Sequence, residues 1–345
     1  MKLRRLQVIA APLLLALASC GGGGAPAAPS TAAPAVVLTA PAPAAVASTA
    51  GRVVDALTDA AAASITIAGN GVVPTMSDAS GRFNVGITSA IAAPQVGFSG
   101  SGFVARTTSV RVPGPDATVS LIPSSFDVTA FNEMFRVSQL LRWTEAPALT
   151  IQTRTLQFTG TNDADFTALA DQMTEGEYAQ LVADLTWGLP QLTGGQFTAF
   201  ASITRETADV GGRVHILNPG RITVARYVGL TTATSFWGYS RWFLRNDGAI
   251  TSGESMLDRD FERSGSPFLR SLRTHELGHS LGCNHVTVRS SVMNSAARLE
   301  PNDFDRGASR IAFQRPPGNR APDTDPDAFS ANRLRSGGEW SAGVP

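Results

Sequence analysis

The stretch THELGHSLGCNH, residues 274–285, holds three of the four histidines in a chain of 345 residues. Together with the FLRSLR that precedes it, the stretch predicts a helix from near Pro267 to Leu281. At about 100° per residue, His275 and His279 sit four apart on one face, within reach of a single ion. Leu277 and Leu281 point the opposite way, as a helix with its back in a core requires. Neutral imidazole is a good zinc ligand, and two imidazoles on rigid helical backbone fix two corners of a tetrahedron. Glu276 lies about a quarter-turn round, beside the metal face, where a base acting on water belongs. Gly282 sits where the helix must stop and suits a left-handed reversal of the chain. That reversal returns His285 as a third ligand, which no continuous helix could do.

The surrounding sequence is built of large, mixed elements from about residue 123. FNEMFRVSQLLRWTE reads as a helix leading to a strand at ALTIQTR. Thr174 and Glu177 form a capping-box pattern ahead of YAQLVADLTWGL and predict a second helix. Strands are predicted at QFTAFASITR, RVHILN, RITVARYVG and, after the Asn246-Asp247-Gly248 turn, AITSGESML. A last helix reads from Asp303 through DFDRGASRIAF. The order describes one α/β domain over 123–320, with an irregular tail over 321–345.

Residues 51–122 are different. GRVVDAL, ASITIAG, GRFNVGI, PQVGFSG and TSVRVPG are short β-branched or aromatic runs separated by Gly, Pro, Asn and Asp. That spacing predicts a small all-β sandwich. A first strand ending in Val-x-Asp, followed by Ser77, Asp78, Gly81 and Phe83 in a Ser-Asp-x-x-Gly-x-Phe pattern, resembles the carboxypeptidase-regulatory-like family of Ig-like modules. The resemblance implies a spacer or adhesive module and no particular chemistry.

The N-terminus MKLRRLQVIAAPLLLALASC places Lys2, Arg4 and Arg5 ahead of an apolar run broken by Pro12, the pattern of an exported protein's leader. Its end, LASC followed by glycines, resembles the lipobox of bacterial lipoproteins. That implies cleavage after Ser19, acylation of Cys20 and a membrane-anchored, cell-envelope location. Residues 20–50, rich in Ala, Pro and Gly and free of charge, read as a disordered tether. Basic and acidic residues balance at 28 each, and loss of the leader tips the balance acidic, so nothing points to a nucleic-acid partner. With Cys20 acylated, Cys283 has no partner, and the fold must depend on its hydrophobic core.

His275-Glu276-x-x-His279-x-x-Gly282-x-x-His285 resembles the metzincin zinc-protease signature at every defined position, closest to the matrixin-like and related bacterial branches. Met293 in SSVMNS resembles the family's Met-turn, eight residues past the last histidine. The resemblance spans roughly 125–315. It implies a mixed twisted sheet, an active-site helix, a Met-turn and a C-terminal helix. It also implies one catalytic Zn2+ on His275, His279 and His285, with Glu276 as general base in endopeptidase hydrolysis of a protein or peptide substrate by a monomer. AITSGESML is the expected upper-rim edge strand. Some family members carry a Tyr two residues after the Met, but here Ser295 stands there and no such role transfers. No cysteine-switch segment precedes the domain, and no structural Ca2+ site is legible. The alternative class is a surface adhesion lipoprotein retaining a protease-like domain without catalysis; the intact Glu276 speaks against it.

Rival residues read as structural. Glu300 is followed by Pro301, which argues against a second ligand-bearing helix. Asp303 and Asp305 read as start signals of the last helix, His215 as an ordinary strand residue and Cys283 as a packed thiol. Trp143, Trp187, Trp237 and Trp242 read as core or cleft walls.

Overall fold

The computed structural model describes residues 45–88, 93–327 and, for the backbone only, 338–342; the leader, Cys20 and most of the tether lie outside the described residues. The molecule is mixed α/β with two β-rich regions. In the first, β1 (Ala47–Asp55), β2 (Thr66–Ala68), β3 (Val72–Val73), β4 (Thr75–Met76), β5 (Arg82–Ile87), β6 (Gln95–Ser99), β7 (Arg106–Ser109) and β8 (Ala117–Leu121) form two four-stranded sheets, ordered β3-β5-β1-β8 and β4-β2-β6-β7. Alternate residues such as Val53, Ile67, Phe83, Val85, Val96 and Phe98 make its core. The Ser-Asp-x-x-Gly-x-Phe turn has a local cause. Asp78 Oδ1 accepts bonds from the Ser80 and Arg82 backbone N–H groups, and Gly81 adopts a positive φ of 77°. A Cβ at Gly81 would lie 2.4 Å from the Val53 carbonyl oxygen, so only glycine fits.

The second region runs α1 (Val128–Phe135), β9 (Ala148–Gln157), β10 (Asp165–Gln172), α2 (Glu175–Leu192), β11 (Ile203–Glu206), β12 (Arg213–His215), β13 (Arg221–Val228), α3 (Leu230–Thr234), β14 (Gly238–Leu244), β15 (Ile250–Asp258), α4 (Arg259–Glu262), α5 (Leu269–Leu281), α6 (Asp303–Phe313) and β16 (Gly338–Ala342). The sheet order is β12-β10-β9-β13-β15-β14-β16, with β11 also pairing β9. β9, β11, β13 and β15 are parallel, and β14 is antiparallel to β15. α2 opens with the full capping box: Glu177 N–H donates to Thr174 Oγ1 at 3.2 Å, and Thr174 N–H donates to Glu177 Oε2 at 2.6 Å. One sheet face packs under the helices through Leu149, Ile151, Val224, Leu185, Leu277 and Ile311. The other face closes over Leu156, Phe166, Tyr227 and Met256.

Several sequence expectations change here. QFTAFASITR contributes only its last three residues to a strand, Ile203–Glu206, and FNEMFRVSQLLRWTE only its first five to a helix, Val128–Phe135. DFTALADQ, unassigned in the sequence, is β10. AITSGESML is not an edge: β15 lies between β13 and β14, so β14 is the strand on that side of the sheet. The tail over 321–345 is not irregular throughout, since residues 323–325 clamp the two regions together. Thr107 N–H donates to the Asp323 carbonyl oxygen, and Asp325 N–H donates to the Thr107 carbonyl oxygen, each at 2.9 Å.

Candidate metal centre

α5 carries the site, and its end is set by Gly282. That residue is left-handed at φ 105°, and its N–H donates to the His279 carbonyl oxygen while Cys283 N–H donates to that of Gly278. An added Cβ would lie 2.5 Å from the Leu141 carbonyl oxygen. The chain therefore turns back immediately, and His285 comes to face the helix. The Nε2 atoms of His275 and His279 are 3.0 Å apart, and those of His279 and His285 are 3.2 Å apart. Among the described residues, this is the cluster of three metal-ligating side chains that the fold assembles.

The protonation of two rings follows from their outer contacts. His275 Nδ1 lies 2.8 Å from the Val292 carbonyl oxygen, and His279 Nδ1 lies 2.8 Å from that of Cys283. A carbonyl only accepts, so each Nδ1 carries the hydrogen and each Nε2 presents a lone pair. Burial pushes the His275 pKa down to about 3 and that of His279 well below its ordinary value; it lowers His285 as well. The imidazoles are neutral at neutral pH. Two inward lone pairs at 3.0 Å repel each other unless a cation stands between them. Two nitrogens at tetrahedral positions around one zinc sit roughly 3.3 Å apart. The donor set fits Zn2+.

Glu276 is fully buried beside this cluster. Its Oε2 accepts a 2.7 Å bond from Ser240 Oγ on β14, while its Oε1 has no protein partner. Burial raises the carboxyl pKa to about 8, and the Ser240 bond offsets part of that rise. Gly238 makes room: a Cβ there would lie 2.3 Å from Glu276 Oε1. Glu276 Oε1 is thus a buried acceptor without a protein partner, on the residue next to His275.

Met293 lies beneath the helix, with its Sδ 2.5 Å from where a Cβ on Gly278 would stand. Asp305, beyond its part in starting α6, accepts bonds from Ser291 Oγ at 2.5 Å and Val292 N–H at 3.1 Å. It thus fixes the same segment whose carbonyl orients His275. Ser255 and Ser280 join β15 to α5 through a 2.9 Å hydroxyl pair, and Trp143 Nε1 donates to the Ser280 carbonyl oxygen. Ser240, Gly238 and Asp305 have no local signal for these roles, because each acts on a residue distant in sequence.

The rivals stand apart. Glu300 is exposed and lies 3.7 Å from Arg270, and Asp303 pairs with Arg306. His215 is exposed on β12 and faces Asp165 at 3.0 Å. Cys283 is buried, and burial raises its thiol pKa well above the ordinary value. Ser295 is exposed. Trp143 and Trp242 are core residues, and Trp237 stacks on Phe261 with ring centroids 4.4 Å apart.

No family model matches the chain, and no curated protein does. Among solved structures, the chain is similar to a Bacteroides uniformis protein assigned to carbohydrate binding, at 14% identity and a TM-score of 0.18. The match covers 35% of this chain and 50% of that protein, and at that score it carries no argument about fold or activity.

Proposed function

We propose that the chain is a zinc-dependent metalloendopeptidase of metzincin type, exported as a lipoprotein anchored through Cys20. The reading is carried by one observation: three neutral imidazoles converge through Nε2 beside a buried carboxylate that is not needed as a ligand. The mixed sheet, the glycine-ended helix, Met293 beneath that helix and the following α6 support the finer fold assignment.

His275, His279 and His285 would hold the zinc. When bound, zinc supplies Lewis acidity, polarising a carbonyl and lowering the pKa of water toward ~7. Ser240 Oγ holds Glu276 through Oε2, which leaves Oε1 to take the proton from the attacking water. Glu276 then passes that proton to the leaving amine. Burial makes the carboxylate a stronger base, and a nearby cation favours its ionised form. The carbonyls of Val292 and Cys283 keep two imidazoles in the liganding tautomer throughout.

The test is digestion of a mixed peptide library by the mature chain, with and without chelator, alongside metal analysis. The expected result is cleavage abolished by the chelator, about one zinc per chain, and weaker zinc retention in His275→Ala, His279→Ala and His285→Ala. Zinc retention without any cleavage would replace the peptidase reading with that of a surface binding module.

A further inference from the structure

The outer edge of β14 is already paired. β16 runs antiparallel along it, with Gly338 opposite Phe243 and Ala342 opposite Tyr239. β14 is also the strand that touches the candidate base, through Gly238 and Ser240. The register has a chemical meaning. Pairing proceeds along β14 toward Gly238, and Ala342 stands opposite the residue next to it. The described pairing thus reaches the residue next to Gly238, the glycine that meets the Glu276 carboxylate.

We propose that the chain's own Gly338–Ala342 occupies the edge of β14 that an extended substrate peptide would take, and so acts as a resident competitor of peptides supplied in trans. The proposal rests on the peptidase reading for the identity of the displaced partner as a substrate. Main-chain pairing tolerates sequence, so an edge that accepts 338–342 accepts other extended peptides in the same polarity. The segment reads Gly-Glu-Trp-Ser-Ala, and three of these five residues are weak strand formers. Such a strand is displaceable, and its hold comes from tethering, which raises its local concentration to about millimolar. Covering an edge also blocks aggregation.

The test uses the full mature chain and the same chain lacking residues 338–345. Both carry Glu276→Gln for binding measurements, so that the probe is not cut. The probe is a fluorescent peptide of residues 336–345, followed by anisotropy. The shortened chain should bind it at least about tenfold more tightly than the full chain. With Glu276 intact, deletion should raise library cleavage by a similar factor, and added peptide should suppress it. Ser341→Pro with Ala342→Pro, which removes main-chain donors without shortening the chain, should behave as the deletion does. Equal binding by full and shortened chains overturns the proposal. So does cleavage that responds neither to deletion nor to added peptide, and that outcome leaves the peptidase reading intact. Differential binding with no cleavage by any form retains the docking strand and removes the peptidase.

Discussion

Two of the buried polar clusters among the described residues are built in opposite ways. The histidine cluster draws its three imidazoles from eleven consecutive residues, and a helix and one glycine turn bring them together. The cluster at the junction of the two β regions draws on Arg106, Ser120, Arg136, Arg315, Asp323 and Asp325, with Arg106 and Asp325 separated by 219 positions. Asp323 lies between Arg136 at 2.8 Å and Arg315 at 2.7 Å, all three buried. Burial works against the Asp323 carboxylate, yet Arg315 and its neighbours hold its pKa below the ordinary value. The first cluster leaves lone pairs and a carboxylate oxygen open. The second pairs its carboxylates with guanidiniums, Asp323 with Arg136 and Arg315 and Asp325 with Arg106. The first arrangement leaves acceptors in one place, and the second joins distant segments of chain.

That contrast is most sharply tested by Glu276→Gln. It keeps the shape and removes the proposed base, so on the peptidase reading zinc content and melting should be unchanged while peptide hydrolysis falls by ~10²–10⁴-fold. Loss of zinc or fold in that variant would erase the distinction between the two clusters. The reverse change is Asp323→Ala, which strands two buried guanidiniums and should cost about 3–5 kcal/mol. Urea unfolding would measure the loss, and the cleavage rate per folded molecule should stay near wild type.

Glu177 is an intermediate case, an ion pair at the half-exposed start of α2. Partial burial opposes its ionisation, but Arg263, the Thr174 N–H and Arg226 outweigh that and bring its pKa from 4.5 to about 2. Because the folded-state value is the lower one, its contribution is complete above pH 4.5 and drains as pH falls toward 2. Glu177→Gln should remove about 1 kcal/mol at neutral pH, since solvent screens the pair, and flatten acid unfolding across that window. The smallest effect belongs to His215, whose exposed pair with Asp165 closes no cluster; His215→Ala should change stability by less than about 0.5 kcal/mol and leave zinc content alone.

The elements legible in the sequence share one property, that their causes lie within a turn or two of chain. The capping box at Thr174 and Glu177, the helix end at Gly282 and the start of α6 at Asp303 are of this kind. β15 shows the limit. TSGES reads as a polar edge, yet β15 is an interior strand because its polar groups find remote partners. Ser255 Oγ donates to the Glu276 carbonyl oxygen, and Glu254 is held by Arg241 and by Tyr227 at 2.6 Å. A polar strand is buried when distant residues satisfy it, and periodicity carries no record of those residues.

By itself, then, the sequence determined the histidine cluster and the turn that assembles it, because both are consequences of helical pitch and of the one residue without a Cβ. Only the tertiary structure decided which strand faces the site, that Ser240 and Gly238 hold Glu276, and that residues 323–325 clamp the two regions. Those contacts join residues tens to hundreds of positions apart, and they form only when packing of the whole core brings their elements together.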